Sequence, residues 1–159
     1  MEKKMETKLN LSDYGSTQLQ EWLRANLVDG QIAKRNSNQA TKFYNSNKQM
    51  WIDIFHNTNV SQVEFIPSAF WVIIPTAEQI EKYISSFCKK NKLVWSYVLR
   101  DLNQRLIEIY NSDLKLIYST SMQFSKDKIE IQESRILTLK WICNQIQKSN
   151  KFSQTKIAV

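Results

Sequence analysis

"VWSYVLRDLNQRLIEIYN", residues 94 to 111, is the stretch on which the fold turns. Trp95, Val98, Leu99, Leu102, Leu106, Ile109 and Tyr110 recur there at helical spacing, with Arg100, Asp101 and Arg105 off the stripe. That periodicity predicts an amphipathic helix. Joined by the short "NKL" connection to the segment before it, it predicts a helical hairpin or helix-turn-helix unit.

The preceding segment, "AEQIEKYISSFCKK", carries the clearest helical signal in the chain. Thr76 follows Pro75 as a cap, Gln79 completes a capping box, and Ala77, Ile80, Ile84, Phe87 and Cys88 form an inward stripe. Lys89, Lys90 and Lys92 stand at its end, where they suit the negative pole of the helix dipole. The dipole alone accounts for them; phosphate contact is the functional alternative.

Working outward towards the N-terminus, "MEKKMETK" lacks apolar periodicity and is expected to be a mobile tail, residues 1–9. "STQLQEWLRANL" predicts a helix with Leu19, Trp22, Leu23 and Leu27 on one face, and Thr17 and Gln20 at capping-box spacing. Residues 30–52 hold Lys34, Arg35, Lys42 and Lys48 with Phe43 and Tyr44 between them and no acid. Such a stretch can neutralise phosphates and stack on bases, although a solvated helix or loop with the two aromatics inward is the simpler reading. "NKQMWIDIFHN" predicts a helix with Met50, Trp51, Ile54 and Phe55 inward and His56 at its end. "NTNVSQ" is the best internal boundary by composition, and "VEFIPSAFWVII" suggests a short strand or extended segment like the wing of a winged helix.

Towards the C-terminus, "SDLKLIYSTSMQF" reads equally as short helix or strand. Ser125 is placed to cap a last helix, "KDKIEIQESRILTLKWICNQIQK", with Ile129, Ile136, Leu139, Cys143 and Ile146 along its seam and Leu137 and Ile142 beside it. Residues 148–159 form a basic tail expected to be disordered. The expected organisation is a tail at 1–9, an N-terminal helical part at 10–60, a helix-turn-helix-like part at 61–147 and the tail from 148.

Composition supports this reading. With 159 residues the chain suits one compact domain, or two small helical subdomains sharing a core, and can bury a sizeable interior. Two glycines and two prolines leave few residues for primed hairpin turns. The expected fold class is therefore mainly α: a compact helical domain with helix-turn-helix-like packing and at most one short strand pair. The net charge of +7 favours an anionic partner such as DNA or an acidic protein surface. Cys88, Cys143 and His56 do not make a metal cluster, so both thiols are expected to be reduced core residues. The most apolar run, "FIPSAFWVIIP", is shorter than the about 20 residues that span a bilayer. With no recognisable leader, an intracellular, non-membrane protein is expected.

Catalytic motifs are absent from the sequence. Glycine-rich phosphate loops and metal spacings do not occur, and Glu78/Glu81 and Glu130/Glu133 lie at one-turn spacing as solvated faces of helices. The expectation is a protein without catalytic residues, cofactor, metal or small-molecule substrate.

The last helix offers the sharpest functional signal. In "KWICNQIQK" Trp141 and Asn144 stand one turn apart, on adjoining faces. One side chain can then anchor in the core while an amide meets the N6 and N7 edge of adenine. This segment resembles the third helix of homeodomains: Trp141, Ile142 and Asn144 match its pattern, and Cys143 takes the variable place. Leu106 and Tyr110 could stand for the apolar pair of a first helix. Gln145 and Ile146 replace the arginines that normally follow the Asn, which would leave phosphate contact to Lys140, Lys148 and Lys151. In character the chain is similar to the small homeobox-like accessory subunits of ciliate DNA adenine methyltransferase complexes. The resemblance implies a nuclear, DNA-binding partner of catalytic or scaffold subunits. Candidate nucleic-acid-binding residues are Lys140, Asn144, Lys148, Lys151, Lys89, Lys90, Lys92, Arg100 and Arg105. The alternative is a protein adaptor without nucleic-acid contact, in which Trp141, Ile142 and Ile146 are core and Asn144 caps or faces water.

Overall fold

The computed structural model describes residues 11–35, 41–53, 58–62, 71–101, 104–122 and 129–157. His56, Ser125 and most of "FIPSAFWVIIP" lie outside them. The chain forms two compact units, Met1–Thr76 and Ala77–Val159. Within the compositional boundary at 57–62, Thr58–Gln62 form a strand.

The expectation of a mainly helical chain is corrected here: three α-helices accompany eight strands in two antiparallel sheets among the described residues. The decisive stretch is a β-hairpin. It supplies β6 (Val94–Asp101) and β7 (Gln104–Tyr110), paired from Val94↔Tyr110 to Asp101↔Gln104 with an irregularity near the turn. Helix-turn-helix packing is excluded with it, because α2 (Ala77–Lys90) is followed by a strand. The reason lies in β7. As the middle strand it buries Leu106, Ile107, Glu108 and Ile109 in succession. A strand covered on both faces reads as a near-continuous apolar run, which helical spacing also fits.

Glycine scarcity did not prevent the turns, because other residues take the left-handed conformation. Gln49 (φ 52°) closes the turn between β2 (Thr41–Asn45) and β3 (Met50–Asp53), Lys92 (φ 59°) the turn after α2, and Leu114 (φ 63°) the turn between β7 and β8 (Leu116–Ser119). Asparagine side chains hold two of these turns: Asn45 Oδ1 accepts the Asn47 N–H at 3.0 Å, and Asn111 Oδ1 accepts those of Asp113 (2.9 Å) and Lys115 (3.0 Å).

The first unit comprises α1 (Thr17–Ala25) and a five-stranded sheet in the order β4-β3-β2-β1-β5. Its strands are β1 (Ile32–Arg35), β2, β3, β4 (Thr58–Gln62) and β5 (Trp71–Ile73). The helix expected over "NKQMWIDIFHN" is thus in part strand β3. For α1 the N-cap is Ser16, whose hydroxyl accepts the Leu19 N–H, rather than Thr17. Leu19 and Leu23 are buried as the periodicity predicts. Gln20, on the same helix, closes the edge of β5: its amide donates to Ile73 O (3.0 Å) and Tyr14 O (2.6 Å) and accepts the Ile73 N–H (2.9 Å). A side-chain amide thus completes the ladder where no further strand follows.

The second unit has the order α2-β6-β7-β8-α3, with a three-stranded meander β6-β7-β8. The ambiguous "LIYS" is strand β8, followed by a 3-10 turn at Thr120–Met122. Helix α3 (Ile131–Ile157) begins six residues after Ser125 and continues through the segment expected to be a disordered tail. Buried Ile80, Ile84 and Cys88 of α2 and Leu139 and Ile142 of α3 occupy the predicted stripes, whereas Ala77 is exposed.

Candidate nucleic-acid interface

Specific contacts fix the direction of each element in the second unit. Glu81 meets Arg135 at 2.7 Å and, further along both helices, Phe87 meets Trp141 edge to face at 5.9 Å, so α2 and α3 run parallel. The N–H of Arg105, at the start of β7, donates to Ile129 O, and the Ser134 hydroxyl donates to Arg105 O at 2.5 Å. Trp141 stacks at 4.7 Å on Tyr118, the cross-strand neighbour of Ile109. β7 therefore runs in the same direction as both helices, and everything C-terminal in α2, β7 and α3 gathers at one end of the unit.

That end is rich in lysine. Lys89 and Lys90 occupy the last turn of α2 and Lys92 the turn after it, all exposed. Lys140 and Lys148 are exposed on α3, with exposed Asn144 between them at four-residue spacing. Lys151 also lies in α3, further along. Exposed Lys115 joins them from the turn between β7 and β8, accompanied by a single acid, Asp113. The two arginines go elsewhere. Arg105 is exposed at the start of β7, and Arg100 stands in β6 next to Leu99, the partner of Arg105, both at the opposite end. The structure thus gathers the lysine candidates and separates them from the arginines.

Sequence reasoning missed Lys115. Its signal was "NSDLK", a turn-forming cluster ending in a cation. It carried no weight while the preceding segment was read as helix.

Trp141 and Asn144 occupy distinct faces of α3. Trp141 is half-buried between Phe87 and Tyr118, and Asn144 one turn on is exposed. Leu106 and Tyr110, which were to stand for a first helix, lie instead on strand β7.

The other polar cluster of this unit is structural. Tyr97 on β6 donates to Glu81 (2.5 Å), and Arg135 donates to both Tyr97 (2.9 Å) and Glu81 (2.7 Å), tying α2, β6 and α3 together. The Tyr97 hydrogen bond holds the Glu81 carboxyl below the usual range, while burial and Glu81 push the Tyr97 phenol up to about 12. Burial likewise raises the Cys88 thiol to about 11, as befits an inert core thiol. Among the described residues no group of three or more His, Cys, Asp or Glu side chains could hold a metal, and no helix is long and apolar enough to cross a membrane. Compared with models of protein families, with curated proteins and with solved structures, the chain matches none.

Proposed function

We propose that this chain is a non-catalytic DNA-binding subunit that grips the phosphate backbone with the lysine-rich end of its second unit. The observation that carries this reading is convergence. The C-terminal turn of α2, the turn after it, the β7–β8 turn and the C-terminal half of α3 each bring exposed lysine to one end. Exposed lysines are flexible point charges, suited to phosphates and without the planar fork that reads guanine. Affinity would come mainly from released counterions, and Asn144 would add modest base preference at most. Following the homeodomain-like pattern of Trp141, Ile142 and Asn144, the chain would serve catalytic or scaffold subunits in the nucleus.

Fluorescence anisotropy of the full chain with a labelled duplex, across a salt series, tests this. The expected slope is about −0.9 per phosphate contact. The triple variant Lys89→Ala/Lys90→Ala/Lys92→Ala should bind every sequence more weakly and flatten the slope by about 2 to 3. Absence of binding at low salt, or an unchanged slope in the variant, overturns the reading.

A second reading, a protein adaptor, is favoured by apolar side chains exposed on the two outer strands of the same unit. Val94 is 57% exposed, Leu99 61% and Leu116 45%. Association of that kind would survive high salt, where the DNA complex dissolves.

A further inference from the structure

The first unit sets two cations, Lys42 and Arg35, on one face of its sheet. Cross-strand register sets Ile73, Ala33, Lys42 and Asp53 side by side on β5, β1, β2 and β3, and puts Arg35 opposite Trp71 in the next row of the same face. Lys42 is only 6% exposed, and its ammonium sits 4.2 Å above the Trp71 ring. To reach that ring from β2 the stem must pass across β1 at Ala33, whose small, fully buried side chain leaves the path open. The cation therefore lies beside Arg35.

Neither cation forms a salt bridge among the described residues. The Arg35 Nε–H is buried with no hydrogen-bond acceptor. A third donor stands two residues from Asp53 on β3: Trp51 is wholly buried and its indole N–H also has no acceptor. Orphan buried donors are rare, because each loses its water without replacement, at a cost of about 1–3 kcal/mol. Burial pulls the Lys42 ammonium below its ordinary range, with Asp53 opposing and Arg35 adding to the pull. Cations set together, with buried donors that have no acceptor, complement an anion that accepts several hydrogen bonds at once.

We propose that this face of the first unit binds a small oxyanion, a phosphate or a carboxylate group, held by Lys42 and Arg35 with the Trp51 indole N–H as a further donor. The site is independent of the DNA-binding reading and uses none of its lysines.

The test is an NMR titration of the indole N–H resonances of the full chain, with that of Trp51 assigned by Trp51→Phe. Inorganic phosphate and acetate are the probes, each against sodium chloride at matched ionic strength. A saturable shift of the Trp51 resonance, weakened tenfold or more in Arg35→Gln and largely retained in Arg35→Lys, is the expected result. A response to phosphate alone or to acetate alone assigns the anion. Absence of a saturable shift with either probe overturns the proposal, as does a response equal to that of chloride or unchanged in Arg35→Gln. Should Arg35→Gln fail to fold by circular dichroism, the wild-type titration and Arg35→Lys still decide the matter.

Discussion

The two units treat their charged side chains in opposite ways. In the second unit Glu81, Tyr97 and Arg135 form one hydrogen-bonded set and Ser134 joins Arg105 O and Thr120, while the neutral Tyr118 hydroxyl is buried without a partner. Lys89, Lys90, Lys92, Lys115, Lys140 and Lys148 stay exposed. The first unit uses amides to satisfy backbone, with Gln20 on Ile73 and Gln31 on Val28 and Ile74, yet holds buried Lys42 and half-buried Arg35 without a salt bridge among the described residues. The difference separates two ways of meeting an anion. Charges in water attract a long polyanion at a distance and lose their hold with salt. Buried charges cannot act at range, but they favour a small anion that replaces the water they have lost.

The sharpest break in this comparison is Gln20→Ala. It should destabilise the first unit by about 2 kcal/mol, because the N–H and C=O of Ile73 lose their partner at a sheet edge. Urea unfolding monitored by tryptophan fluorescence would register the loss, and wild-type stability would show that water closes that edge equally well.

A smaller effect is expected at Glu81, which is one-third exposed in its side chain. Glu81→Gln should cost about 1 kcal/mol at neutral pH. The carboxyl is lowered in the folded state, so its contribution is present above the ordinary carboxylate pKa of about 4.3 and fades as pH falls through the lower folded value. Parallel pH-stability curves for wild type and Glu81→Gln below that range would show the network contributes nothing through charge.

The smallest change, and the one that most sharpens the contrast, is Lys42→Met. A buried ammonium with no salt bridge among the described residues, replaced by a thioether of similar length, should leave stability in anion-free buffer unchanged or raised by up to about 1 kcal/mol. A loss of more than that, measured by thermal unfolding, would mean that the contact with Trp71 outweighs desolvation.

Helix α2 shows what was readable and why. Its face is covered on one side only, so a single stripe, its place after Thr76 and its lysine end point to one answer. Leu106 to Ile109 failed for the converse reason: a strand buried on both faces has no alternation to detect. Around it, the scarcity of glycine argued against hairpins, but Asn45 and Asn111 build turns through side-chain hydrogen bonds and Gln49 and Leu114 accept positive φ. Of the candidate interface, the individual lysines were legible as charge. Their convergence, and the place of Lys115 among them, depends on a parallel pair of helices that no local pattern encodes.

By itself the sequence determined the cationic balance, the apolar faces of α1 and α2 and the helical character of α3 through its first turns, because these follow from composition and from contacts within a few residues. Tertiary structure alone decided that residues 94–110 pair as strands and that lysines from four segments meet at one end. It alone also placed Lys42 beside Arg35 over Trp71. Each of those outcomes rests on hydrogen bonds and packing between residues distant along the chain, which local propensity and periodicity do not record.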